Sequence, residues 1–331
     1  MATNPFRAFP KVPANPAPNA QLAGKTVIIT GAASGIGLQT AMQMAALGPA
    51  ILVFAVRNVG RGETAKNEVI GSISTTSLID IRVMEVDMAN AQSVVAFAQR
   101  VRSELSHVDI LVLNAGLGFL REFQKSNSGH DLTTQVNHYS NALLIFELLP
   151  ILTNSSTAGR VSYVGARIAR EPTPWRKAHP SPALLYLDDP KTYKQFGRYS
   201  ESKLAAMTFA RELGLRLDGH RVIVNVTCPG MVNGGLTHEI PKWIMAWGKY
   251  VTAAIGRPIP TAANIVVNAA VYAGPESHGK FLMDHEIQPD DKFLVTQEGE
   301  RFSRDIWAET LADVQRHASD AGRESLSFLS Q

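Results

Sequence analysis

Between Thr26 and Met283, short apolar runs rich in β-branched residues alternate with longer stretches of helical spacing, and few folds accept that alternation. The strand-like runs are 26–30, 51–56, 79–86, 110–113, 161–164, 222–227 and 280–283. The helical stretches are 36–47, 62–71, 91–105, 130–149, 200–217 and 262–272. Uninterrupted Val, Ile and Leu runs suit strands buried on both faces, and repeated strand–helix–strand units joined by right-handed crossovers give a parallel sheet covered by helices. The expected architecture is α/β, a doubly wound parallel sheet (Rossmann fold) forming a single domain over residues 24–283. A Pro-rich N-terminal tail, 1–23, precedes it, and a C-terminal helical extension, 284–331, follows with a helix over 304–317. With 331 residues, 45% of them hydrophobic, the chain can bury such a core.

Ligands of such sheets collect at the carboxyl ends of the strands. There the first strand runs into Thr30-Gly31-Ala32-Ala33-Ser34-Gly35-Ile36-Gly37 and then a helix. Gly31, Gly35 and Gly37 allow a tight turn, close approach of the backbone to a pyrophosphate and close packing of helix on strand, with the anion at the positive helix end. The run alone is a weak signal; its place between strand and helix makes it a dinucleotide-binding turn. A second motif, Tyr199-Ser200-Glu201-Ser202-Lys203, is expected to open a helix and so to set Tyr199 and Lys203 one turn apart on one face. A phenol ionises near pH 10, and a nearby ammonium stabilises its anion. Lowering the pKa by about 3 units corresponds to about 4 kcal/mol and makes Tyr199 a general acid/base. Alone, such a pair is common on solvated helix faces.

Together these residues resemble the short-chain dehydrogenase/reductase family over most of the chain, from Gly24 to about Met283. Further matches follow in the family's order. Asp87 falls where the family contacts adenine, and Asn114-Ala115-Gly116 matches the turn beneath the cofactor. Asn137 matches an asparagine that holds a water, and Pro229-Gly230-Met231-Val232 matches the segment capping the nicotinamide. The resemblance implies hydride exchange between a nicotinamide and a carbonyl carbon while Tyr199 passes a proton to or from the oxygen. Lys203 would lower the tyrosine pKa and hold the nicotinamide ribose, and Asn137 would keep a proton-relay water in place. The insert before Tyr199 and the ending Gly279-Lys280-Phe281 look most like the retinol-dehydrogenase-like and fungal secondary-metabolism branches. The family pairs through its fourth and fifth helices, which makes a homodimer the expectation by analogy.

Two positions depart from the pattern. Ala166 stands where the family carries a serine that hydrogen-bonds the reacting oxygen, and Ser162, about 13 Å back along the strand at about 3.3 Å per residue, is too far to replace it. Gly234 stands where the family has a threonine, with Thr237 as a substitute if the loop is longer. At the end of the second strand Arg57 has no acidic neighbour, which favours the 2′-phosphate of NADP(H) over the ribose hydroxyls of NAD.

Other features bound the function. A net charge of +3 and the absence of any basic run exclude a nucleic-acid surface, and the apolar stretch 142–152 is too short for a membrane span and contains Glu147 and Pro150. Five prolines in the first 20 residues rule out a secretory helix. The nine histidines form no ligand-spaced pair with a carboxylate, so no metal is expected. The single cysteine, Cys228, fits a reducing, cytoplasmic location and reads as a buried, inert residue. Asp188-Asp189-Pro190 reads as a solvated turn. Ile240, Trp243, Ile244, Trp247 and Val251 recur at helical spacing within a substrate lid expected at about 233–260, lining an apolar pocket.

The resulting expectation is an NADP(H)-dependent oxidoreductase that interconverts a carbonyl and an alcohol on a bulky apolar small molecule. Ala166 keeps other readings open: an inactivated variant, an NADP(H)-binding scaffold for a non-redox reaction such as a cyclisation, or a cofactor-sensing protein.

Overall fold

Runs such as Val27-Ile28-Ile29 leave no polar face, so the strands they form must be covered on both sides. The computed structural model describes residues 12–15, 22–73, 79–155, 157–178, 180–232 and 256–329. Its strands are β1 (Thr26–Thr30), β2 (Ile51–Val56), β3 (Asp80–Glu85), β4 (Ile110–Leu113), β5 (Gly159–Val164), β6 (Val222–Cys228), β7 (Phe281–Met283) and β8 (Glu286–Ile287). They form a single sheet in the order β3-β2-β1-β4-β5-β6-β7-β8, parallel throughout except for the final hairpin. That hairpin turns through Asp284 and His285, both left-handed at φ 54° and 71°, as a two-residue turn between twisted strands requires. Strand order reverses between β1 and β4, and this is where a doubly wound sheet opens a crevice.

The helices are α1 (Gly35–Ala45), α2 (Val59–Ser72), α3 (Ala91–Glu104), α4 (Leu132–Thr134), α5 (Ser140–Leu152), α6 (Pro174–Ala178), α7 (Gln195–Gly214), α8 (Ile259–Val267), α9 (Gln297–His317) and α10 (Asp320–Leu329). Alternate strand residues face opposite layers. Val27, Ile29, Leu52 and Phe54 pack with α1, α2 and α8, whereas Ile28, Val53, Leu111, Val161 and Tyr163 pack with α3, α5 and α7. Among the described residues, no helix is long and apolar enough to cross a membrane.

Several elements differ from expectation. The helix of Tyr199 and Lys203 begins at Gln195, so Tyr199 stands in its second turn rather than opening it. The stretch 130–149 is not one regular helix. Asp131 caps α4 by accepting from Thr134 N, and a π turn at Gln135–Tyr139 follows, with Ser140 N–H donating to Gln135 five residues back. Pro150 sits in the last turn of α5 without ending it. The helix expected at 304–317 starts at Gln297, where Thr296 Oγ1 accepts from Gly299 N, and the additional helix α10 follows it.

The insert 171–196 is ordered by packing rather than by local period. Trp175 is fully buried, donates from Nε1 to Ala183 O at 2.9 Å and meets Phe302 of α9 edge-on at 4.6 Å. Asp188 is not a solvated turn residue. It accepts from His130 Nδ1 at 2.7 Å and from Asp131 N at 2.8 Å, while Asp313 of α9 meets His130 Nε2 at 2.9 Å. Burial alone would lower the His130 pKa, but the two carboxylates outweigh it and hold it at about 9.

The extension lies on the helices outside the sheet: α9 along α7 and α5, α10 along α5. Trp307 stacks on Phe209 of α7 at 5.4 Å, and Glu147 in α5, fully buried, accepts from Ser319 N and Ser319 Oγ at 2.6 Å ahead of α10. The proposed lid residues Trp243 and Trp247, with Gly234 and Thr237, lie outside the described residues, as does most of the tail.

Candidate active site

The turn after β1 is built as the glycine pattern demands. Gly31 and Gly35 take left-handed φ values of 70° and 56°, and a Cβ at Gly37 would sit 2.2 Å from Gly31 O, so side chains are excluded at these positions. Ser34 precedes α1 without capping it through its side chain, and Ser34 and Gly35 are exposed with Ile36 half-buried behind them. The first N–H groups of α1 therefore face outward beside an open surface. This arrangement suits an anion.

The neighbouring turn after β4 is tied to the first. Thr30 Oγ1 accepts from Asn114 N at 3.0 Å and Ala115 N at 2.9 Å, and Asn114 Nδ2 donates to Thr30 O at 2.9 Å. A Cβ on Gly116 would lie 3.3 Å from Asn137 Oδ1 and 3.5 Å from Lys203 Nζ, and one on Gly118 would lie 2.7 Å from the Tyr199 ring. Asn137, Lys203 and Tyr199 thus converge on this turn from two helical segments.

Asn137 owes its position to the π turn, which aims its amide at the chain after β4. It accepts from Leu117 N at 2.9 Å through Oδ1 and donates from Nδ2 to Leu117 O at 2.7 Å and Ser202 Oγ at 2.9 Å. Lys203 is buried and donates from Nζ to Val164 O, the last residue of β5, at 2.8 Å; burial lowers its pKa to about 8. The Tyr199 phenol is not depressed by Lys203 as the sequence motif suggested. Burial pushes it above its ordinary value, and the Cys228 sulfur beside it adds to the rise.

Ala166 lies just beyond β5, buried, with its carbonyl accepting from Ala169 N at 3.0 Å. Ser162 is committed elsewhere, donating to Asn225 Oδ1 at 2.8 Å. Cys228 is buried as expected but is part of the site's wall. Its sulfur accepts from Arg167 N at 3.1 Å and Gly230 N at 3.4 Å, next to the Ala166 position. Burial raises its thiol pKa. Gly230 is left-handed at φ 83°, and Val232 bridges Arg257, joining the two ends of the segment 233–255.

On the opposite side, Arg57 is exposed at the end of β2, next to Asn58, which caps α2 by accepting from Arg61 N. Asp87 follows β3, half-buried, with Oδ1 accepting from Ala89 N at 3.0 Å. Among the described residues, no group of three or more His, Cys, Asp or Glu side chains is arranged to hold a metal ion.

Sequence reasoning missed three contributors. Ser202 anchors Asn137; its signal was its place inside the Tyr199–Lys203 segment. Thr30 organises the turn after β4 and is visible only as the polar end of an apolar strand. Phe119, at φ 60°, lays its ring 4.9 Å from that of Tyr199, and no local pattern announces it.

A family model described as short chain dehydrogenase matches residues 25–180 and 190–245. A short-chain dehydrogenase/reductase of Talaromyces stipitatus is 38% identical over 305 residues, 89% of this chain and 92% of its own. A short chain dehydrogenase of Penicillium terrestre is 39% identical over 304 residues, with 88% and 92% covered. Among solved structures, Pseudomonas aeruginosa RhlG in an active-site complex with NADP superposes with a TM-score of 0.63 at 22% identity, covering 81% of this chain and 99% of its own. L-sorbose reductase of Gluconobacter frateurii, complexed with NADPH and L-sorbose, gives 0.62 at 21% identity, covering 84% and 99%.

Proposed function

The chain belongs to the short-chain dehydrogenase/reductase family, and from that premise we propose that it uses NADP(H) to reduce a carbonyl on a bulky apolar small molecule, with a role in secondary metabolism. The observation that carries this reading is the convergence of Tyr199, Lys203 and Asn137 on the turn Asn114-Ala115-Gly116, beside the open N-terminus of α1.

Gly31, Ser34, Gly35, Ile36 and Gly37 would hold the pyrophosphate, Arg57 the 2′-phosphate, Asp87 the adenine and Lys203 the nicotinamide ribose. Asn114, Ala115, Gly116, Pro229, Gly230 and Val232 would enclose the rest. When bound, the cofactor supplies the hydride. Tyr199 keeps its proton through neutral pH because burial disfavours the phenolate, so it suits the task of donating to a carbonyl oxygen that gains negative charge. That favours the reductive direction. The Lys203 ammonium, fixed on Val164 O, stabilises the phenolate left behind, and Asn137 holds the turn that positions both.

Ala166 removes a hydroxyl donor but leaves this proton path intact. Tyr199, Lys203 and Asn137 have no common task in a cyclising scaffold or a cofactor sensor, which makes those readings the weaker ones. A cytoplasmic location fits the free thiol of Cys228. The test is NADPH consumption, followed by its absorbance, with a panel of bulky ketones. Turnover that is lost in Tyr199→Phe with cofactor binding retained supports the reading; product formation without NADPH consumption opposes it.

A further inference from the structure

The loop between β4 and α4 carries a strained aromatic residue against the candidate proton donor. Phe119 has φ 60°, a strained region for a side-chain-bearing residue that bulky residues seldom occupy outside functional sites. The conformation is held in place: Gln195 Nε2, from the first turn of α7, donates to Phe119 O at 2.9 Å. The preceding Gly118 leaves room for the Tyr199 ring that any Cβ would take. The result is a row of three rings, Phe196 to Phe119 at 5.6 Å and Phe119 to Tyr199 at 4.9 Å, with tilts of 49° and 43°.

This row is not core packing. Phe196 is 50% exposed, and Ile168, whose carbonyl accepts from Ser200 Oγ beside Tyr199, is 45% exposed. Strain and exposure together, next to the reacting phenol, describe a recognition surface rather than a fold-stabilising cluster.

We propose that Phe119 and Phe196 form an aromatic wall that selects substrates carrying a flat aromatic ring beside the carbonyl to be reduced. The proposal rests on the reductase reading above and adds the substrate class. Tilted and offset ring contacts favour an aromatic group over a saturated one of equal size by about 2- to 10-fold in affinity.

The experiment compares 2-acetylnaphthalene with its saturated counterpart, 2-acetyldecalin, as substrates of the NADPH-loaded protein. Wild type is expected to favour the aromatic ketone in kcat/KM by about threefold or more, chiefly through KM. Phe196→Ala and Phe119→Gly should each bring the ratio towards one. Glycine at 119 also relieves the backbone strain, so Phe119→Gly should melt no lower than Phe119→Ala. Equal kcat/KM for the two ketones in wild type, or a preference that survives both substitutions, overturns the proposal. Failure of the reductase reading looks different: neither ketone consumes NADPH. Calorimetric titration of both ketones into the NADPH-loaded protein then decides the aromatic claim, since equal dissociation constants in wild type overturn it as well.

Discussion

Asn137 donates from Nδ2 to Ser202 Oγ at 2.9 Å, and this bond ties the π turn to the helix that presents Tyr199 and Lys203. The same amide accepts from Leu117 N and donates to Leu117 O, so one side chain registers two helical segments and the turn after β4. Misplacing reacting groups by about 1 Å can reduce rates about 10²-fold. Asn137→Ala is therefore expected to lower kcat by about that factor while NADPH affinity, proposed above to rest mainly on the turn into α1, changes little. Ser202→Ala should produce a smaller loss of the same kind. A change confined to KM in either variant contradicts this role.

Reduction is expected to fall off in alkaline solution earlier than an ordinary lysine would dictate. Burial brings Lys203 to about 8, so its ammonium is lost as pH rises through that value, whereas Tyr199, pushed up by burial, keeps its proton. The kcat profile for reduction should therefore decline above about pH 8, and Lys203→Met should remove that limb along with most of the rate. A wild-type profile flat to pH 10 would falsify the assignment.

Cofactor choice should follow Arg57. Arg57→Asp removes the partner proposed for the 2′-phosphate and adds a repulsive charge, so NADPH affinity should fall by more than the roughly 2 kcal/mol of one charge-assisted contact while NADH gains relatively. Equal binding of the two cofactors to wild type, by titration, contradicts the claim.

The C-terminal extension should act as a fixed cover. His130 lies between Asp188 of the insert and Asp313 of α9, with its pKa raised to about 9. A raised histidine stabilises the fold fully below the unfolded value near 6.5 and loses that contribution as pH rises through about 9. Up to about 3 kcal/mol is at stake, so Tm should drop between pH 6.5 and 9, and His130→Asn should flatten that drop. The same extension covers outer faces of α5 and α7, through which the family resemblance suggested pairing. Light scattering is expected to find a monomer, and a wild-type dimer would contradict this.

Legibility in the sequence followed the range of the interactions. The parallel strands were readable because their burial leaves uninterrupted apolar runs, and Gly31, Gly35 and Gly37 because backbone geometry dictates residue type. Tyr199, Lys203 and Asn137 were named from their spacing and family likeness, but their electrostatics were not: the phenol rises because it is buried, with the Cys228 sulfur adding to the rise. Asp188 read as solvated because its partners, His130 and Asp131, are 58 and 57 residues away along the chain. The π turn was hidden for a similar reason, since Asn137 bonds Leu117 and Ser202 rather than its own helix. Phe119 had no signal because its strain is set by Gln195, 76 residues later.

The central claim is that an intact proton path to Tyr199 serves carbonyl reduction despite Ala166. Its most direct test is NADPH-dependent reduction of 2-acetylnaphthalene by Ala166→Ser, with Ala166→Ser/Tyr199→Phe as the control. A donor aimed at a developing oxyanion contributes about 10²–10³ in rate where it is used. The account predicts a gain of about 10² in kcat that vanishes with the phenol. NADPH consumption by neither wild type nor Ala166→Ser with this ketone or a panel of bulky ketones, in protein that binds NADPH tightly, contradicts it.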